Sequence, residues 1–214
     1  HALSGYANAV LDGTIPAERA RAVVDSQTER LSVLLDELAE LRLLGDQRQP
    51  EIERVELHLL VSQVVTDLAT SAVQVHIHRH LGRVAVRSDA HLIRTVVQNL
   101  LTNAIRFTPE GGSVDVATRR SGHKAVVSVK DTGPGIAPEH QRRVFDRFYR
   151  AEAARDRVQG GTGLGLAIAQ RAAQQIGGRI ELYSAAGEGS EFRLVLPLAG
   201  PRRDGGPGGV ATEP

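Results

Sequence analysis

The sequence predicts an α+β fold: a two-layer α/β sandwich preceded by a helical hairpin. Two observations point there. A seven-residue apolar repeat runs from Val24 to Leu41, behind a shorter stretch of helical period. Beyond residue 50, short stretches that alternate apolar and polar residues are interleaved with longer stretches of helical period.

The hairpin is read first. Leu3, Tyr6 or Ala7, and Val10 recur at helical spacing and predict a short helix over 2–12. Asp12-Gly13 marks a turn, and Pro16 sits where a first helical turn tolerates it. A long helix is predicted over 17–44, where Val24, Leu31 and Leu38 repeat every seven residues with Leu34 and Leu41 between them. Gln27 interrupts that seam once. A narrow hairpin cannot bury such a face alone, so a second copy of the chain is the expected partner, with packing on the downstream domain of the same chain as the alternative. Gly45 to Pro50 is polar and turn-rich and reads as a linker. The expected units are thus residues 1–46, a domain over 47–199, and a Gly/Pro-rich tail over 200–214 with little to bury.

Within the domain, strands are expected near 51–56, 73–79, 83–87, 113–120, 124–130, 179–184 and 190–196. Helices are expected near 57–70, 90–107, 138–144 and 163–177. Hydrophobic residues make up 41% of the chain, enough for a core, and a net charge of +1 gives no field to recruit nucleic acid. The absence of cysteine excludes disulfides and thiolate metal sites. No apolar run approaches the roughly 20 residues that span a bilayer, and no segment reads as a signal peptide. The chain begins at His1 and lacks methionine, so it reads as a piece of something longer, with any membrane anchor upstream.

Four segments carry chemistry. On the helix near residue 100, Asn99, Asn103 and Arg106 share one stripe beside Ile93, Val96, Val97, Leu100, Leu101 and Ala104. A carboxamide oxygen can ligate Mg²⁺, a hard cation, and arginine offers a fixed charge to phosphate. Asp131-Thr132-Gly133-Pro134-Gly135-Ile136 follows a strand, and its carboxylate can accept from an adenine amino group while the glycines admit the base. Phe145 to Arg150 holds two of the four phenylalanines and precedes a polar stretch, an arrangement suited to a lid. Gly160 to Leu166 places glycines ahead of a helix, where free amides suit phosphate. This loop lacks the lysine of a Walker A sequence and the spacing of a dinucleotide fingerprint. His76, His78 and His80 alternate and read as a polar strand face rather than a metal site. Arg142, Arg143, Arg147 and Arg150 read as a solvated face.

In order and separation, QNLLTNAIRFT (98–108), DTGPGI (131–136), FDRFYR (145–150) and GGTGLGL (160–166) resemble the N, G1, F and G2 boxes of bacterial sensor histidine kinases. The resemblance covers roughly 51–197, and LSGYANAVLDG (3–13) is similar to the segment after the family's phosphoacceptor histidine. That histidine is expected before Leu3, and His1 is not nominated for the role. The resemblance implies the histidine kinase/gyrase-type ATPase fold and binding of ATP with Mg²⁺. It implies Asn103 as the principal Mg²⁺ ligand supported by Asn99, and Arg106 and Phe107 beside the nucleotide. Asp131, Gly133, Gly135 and Ile136 would hold the base. Gly161, Thr162, Gly163, Leu164, Gly165 and Leu166 would line the hinge and triphosphate, with Arg150 reaching phosphate. The implied function is that of a two-component sensor kinase, transferring the γ-phosphate to a histidine and thence to a response regulator receiver domain. The chain would be a homodimer and the cytoplasmic portion of a membrane-anchored kinase. An ATP-hydrolysing machine of the same fold and a non-catalytic docking module are the alternatives. The first usually has a glutamate base where this chain has Asn99, and an amide cannot take a proton from water as a carboxylate does.

Overall fold

The structure, a computed structural model, describes residues 49–69, 74–150 and 162–198, with isolated positions between 16 and 35. The backbone divides into two compact units, His1–Asp46 and Gln47–Pro214. In the first unit the described residues from Glu18 to Leu35 are helical. Thr28 Oγ1 donates to the Val24 carbonyl at 2.9 Å, and Arg21 and Asp25 pair one turn apart. Val24, a seam position, is 44% exposed within the single chain. The expected helix over 2–12, Gly45 to Arg48 of the linker and the tail from residue 200 lie outside the described residues.

The second unit runs β1 (Glu53–Glu56), α1 (Leu57–Ala69), β2 (His76–Leu81), β3 (Ala85–Ser88), α2 (Ala90–Phe107), β4 (Ser113–Ser121), β5 (Lys124–Asp131), α3 (Pro138–Gln141), α4 (Gly165–Gln175), β6 (Arg179–Ser184) and β7 (Ser190–Pro197). Five strands form one sheet in the order β2-β4-β5-β7-β6, and β1 pairs with β3 in a separate ribbon. Helices α1, α2 and α4 cover one face of the five-stranded sheet. The alternation in β4 and β5 puts Val114, Val116, Val127 and Val129 on that face, all fully buried. β2 and β4 pair in parallel, unlike the other neighbours. A parallel pair needs a crossover, and α2 lies in the chain between them.

Helix α2 decides where the chemistry sits. Asp89 caps it, accepting from the Leu92 amide at 3.0 Å, and its second oxygen accepts from Glu51 N at 2.9 Å. Ile93, Val96, Val97, Leu100 and Leu101 are fully buried, each contributing roughly 1.5–3 kcal/mol. At the other end Thr108 donates from both its amide and its hydroxyl to the Ala104 carbonyl, at 3.0 and 2.7 Å. The helix is thereby fixed in rotation, and the asparagine stripe beside its buried face follows.

Candidate functional site

Glycines bring the four segments together. A Cβ on Gly165, the first residue of α4, would lie 2.7 Å from Asn99 Oδ1. A Cβ on Gly133 would lie 2.7 Å from Asp131 Oδ1 and 2.9 Å from the Phe107 carbonyl. Gly163 has φ +77, and a Cβ there would press on the Phe148 backbone at 2.8 Å and on the Tyr149 carbonyl. Helix α2 therefore meets the 163–165 turn at Asn99 and the 131–136 loop at Phe107. The 145–150 block is tied to Gly163, whose carbonyl accepts from Phe148 N at 2.9 Å.

At the Asp131 end the site is closed in, and Asp131 itself is 4% exposed. Oδ1 accepts from Gly133 N at 2.8 Å and Ser190 N at 3.2 Å. Burial pushes its pKa above the ordinary carboxylate value, against the pull of those two amides. Gly135, at φ +68, is backed against the Ala185 carbonyl, where no side chain fits. Gly189, at φ +80, is backed in the same way against the Asp131 carbonyl.

At the Asn99 end the groups are less enclosed. Asn99 Nδ2 donates to the Thr95 carbonyl at 2.9 Å, which turns the amide oxygen toward Gly165. Asn103, one turn on, is half-buried. An oriented amide oxygen beside a cradle that a Cβ would fill fits a magnesium–phosphate cluster, since that ion takes oxygen donors and retains water. Arg106 lies 5.7 Å from the centre of the Phe107 ring. No side chain caps α4, while Leu164 N donates to Thr162 Oγ1 at 3.2 Å. Leu164 is fully buried, so it anchors the helix and offers the cleft only backbone, whereas Leu166 is half-buried. Gly161 lies outside the described residues.

The two phenylalanines of the 145–150 block behave differently. Phe145 packs edge-on against the buried Phe192, with ring centres 6.3 Å apart. Phe148 is 60% exposed and adopts φ +61, a conformation a phenylalanine rarely holds. A hollow of about 460 Å³ opens beside this block, lined by His140, Arg143, Asp146 and Arg147 to Arg150. It is lined by the 145–150 block and by no residue of the other three motifs, the asparagine stripe included. The three alternating histidines stay on an exposed strand face, and no group of three metal-binding side chains occurs among the described residues.

Sequence reasoning did not nominate Ser184, Ser190 or Gln141. Ser190 N supports Asp131, and Ser184 Oγ accepts from Ile136 N at 2.8 Å. The signal was the Gly187-to-Gly189 turn, which pairs Ser184 with Ser190 across two strands.

With this geometry in place, comparison with known proteins decides the family. The model of histidine kinase-, DNA gyrase B- and HSP90-like ATPases matches residues 88–200. The chain belongs to this family, on its sensor histidine kinase branch. SenX3, a sensor-like histidine kinase of Mycobacterium tuberculosis, is 36% identical over 203 residues, covering 92% of this chain and 50% of SenX3. The chain thus spans about half the length of that relative. Among solved structures, full-length ShkA in complex with AMPPNP aligns with a TM-score of 0.72 at 27% identity, covering 85% of this chain and 38% of ShkA. Histidine kinase ThkA, solved in complex with the response regulator TrrA, aligns with a TM-score of 0.76 at 22% identity. That alignment covers 92% of this chain and 57% of ThkA, and at this identity the likeness is one of fold.

Proposed function

We propose that this sensor-kinase module binds Mg-ATP in the cleft between α2 and the turns at 131–136 and 162–166, for transfer of the γ-phosphate to a histidine. The observation that carries the reading is that α2 touches both ends of the cleft, at Asn99 with Gly165 and at Phe107 with Gly133. One ligand with a purine at one end and phosphates at the other suits that spacing of chemistries. Asp131 accepts from the adenine amino group, and Gly133, Gly135 and Ile136 shape the base pocket. Asn103 and Asn99 would hold Mg²⁺, which when bound would neutralise phosphate charge. Arg106 and Arg150 add fixed charge, Phe107 borders the nucleotide, and Gly161 to Leu166 supply backbone for the triphosphate. Catalysis is then positioning and charge neutralisation, with a nucleophilic imidazole brought to the γ-phosphate.

The phosphoryl group passes on to the receiver domain of a response regulator, the kind of partner with which ThkA was solved. The exposed Val24 in a seven-residue repeat supports a homodimer through the first unit. ATP is a cytoplasmic substrate, which supports reading the module as the cytoplasmic portion of a membrane-anchored kinase. No described helix is long and apolar enough to cross a membrane.

Calorimetric titration of the 214-residue chain with ATP tests the reading. Saturable binding is expected, much weakened when EDTA removes Mg²⁺. Absence of binding at millimolar nucleotide overturns it. Rapid steady-state ATP hydrolysis by the chain alone shifts it to the ATPase alternative, against which Asn99 stands.

A further inference from the structure

Helix α3 has four residues, and its last two side chains reach in different directions. Gln141 Nε2 donates to the Ile136 carbonyl at 2.9 Å and to the Ser184 carbonyl at 2.8 Å. A carboxamide nitrogen carries two hydrogens, so this one is fully used. Its two acceptors belong to different segments, the loop after Asp131 and the end of β6. Ser184 completes the connection: its hydroxyl accepts from Ile136 N and donates to the Gly189 carbonyl at 2.8 Å. Its oxygen also lies 3.0 Å from Ser190 Oγ, and Ser190 N in turn donates to Asp131 Oδ1. The neighbouring His140 meets Tyr149 through a 2.7 Å hydrogen bond between Nδ1 and the phenol, and Arg143 stacks on that phenol at 4.3 Å.

We propose that Gln141 is a positioning residue for adenine recognition: its amide clasps the 131–136 loop to the 184–190 turn, and so holds the Asp131 carboxylate in place to read the base. The inference rests on the nucleotide reading given above. Gln141 touches no part of the ligand and acts through Ser184, Ser190 and Asp131. The same short helix fastens the Tyr149–Arg150 end through His140, so the base pocket and the phosphate-side block share one mount.

Removing the two donors leaves two half-buried carbonyls without their partner, and the loop that carries the base pocket loosens. For Gln141→Leu in the full chain we expect ATP affinity to fall roughly three- to tenfold, the size of one to two weakened hydrogen bonds. Inosine triphosphate, which presents a carbonyl where adenine has its amino group, is expected to bind the variant as it binds the unmodified chain. Gln141→Lys keeps the donors and is expected to restore ATP affinity to within about twofold. In an Asp131→Ala background Gln141→Leu is expected to add little, because both changes break one chain of contacts. Equal losses for both nucleotides with a lowered melting temperature, or full additivity with Asp131→Ala, overturns the proposal in favour of a merely structural glutamine. If ATP binds, and Asp131→Ala weakens it while Gln141→Leu does not, the glutamine loses its role and the nucleotide reading stands. If the unmodified chain binds no ATP, both fall together.

Discussion

Around Asp131 the loop is knit together by hydrogen bonds within the chain. The carboxylate has two backbone donors, Ser184 has three partners, and Gly135 and Gly189 lean on backbone carbonyls. Around Asn99 the arrangement is open: one amide oxygen faces Gly165, Asn103 is half-buried, and no side chain caps α4. The base end is thus held by packing against backbone, and the phosphate end rests on one side chain tied by a hydrogen bond to the Thr95 carbonyl. In a nucleotide site this division has a physical sense. A purine is rigid and is read by shape, so its pocket gains from being formed in advance. A triphosphate carries charge that must be met by mobile groups and a metal, so that end gains from freedom to close.

The contrast predicts that equivalent substitutions have different costs at the two ends. Gly135→Ala has the largest expected effect. A Cβ would overlap the Ala185 carbonyl, and φ +68 disfavours any side chain. Backbone would have to move, so a loss of about 3 kcal/mol or more is expected. In a chain of this size that is roughly 6–12 °C in melting temperature, read by calorimetry. A melt unchanged by this substitution would show that the base end is not the rigid one.

Asp131→Ala comes next. It removes a charged hydrogen-bond acceptor, so ATP affinity is expected to fall about ten- to hundredfold, or 1.5–3 kcal/mol. Gly165→Ala sharpens the comparison from the other side. The added methyl meets only the tip of Asn99, which can rotate away, and alanine favours the helix. Affinity for Mg-ATP is expected to drop roughly tenfold while the melting temperature holds or rises, since only an oriented ligand is lost. A stability loss matching that of Gly135→Ala would erase the distinction between the two ends.

The same contrast explains what the sequence made legible. Helix α2 was legible over its observed residues because its apolar period is long. The strands were legible because β4 alternates and β5 does so from Val127 to Lys130. The short α3 was expected near 138–144 and ends at Gln141, since propensity says little about a single turn. At the phosphate end the site residues stand in recognisable runs of asparagine and glycine. At the base end half of the machinery was hidden, because Ser190 reaches Asp131 across 59 residues of sequence and Gln141 reaches Ser184 across 43. Such contacts are set by sheet register, which a serine or a glutamine on its own does not announce. Phe145 and Phe148 show a related limit: identical residues three apart, one half-buried against Phe192 and one in solvent.

The smallest expected effect is on pH dependence, and it separates folding from binding at one atom pair. Burial holds the Asp131 pKa above its ordinary value of 3.8 in the folded chain. The folded state therefore keeps a proton that the unfolded state has released, over the window from about that value up to the raised one. Stability from this group is present below 3.8 and is lost as pH rises through the folded pKa. Asp131→Asn keeps an oxygen to accept from Gly133 and Ser190 but carries no charge, so its unfolding free energy is expected to lose this slope in acid solution. Adenine recognition runs the opposite way, because the ionised carboxylate is the better acceptor for the amino group. ATP affinity of the unmodified chain is thus expected to rise with pH across the very window in which the ligand-free chain loses stability, while inosine triphosphate shows no such rise. Denaturant titrations and nucleotide titrations at matched pH read the two slopes. If both slopes have the same sign, Asp131 is not the group that reads the base.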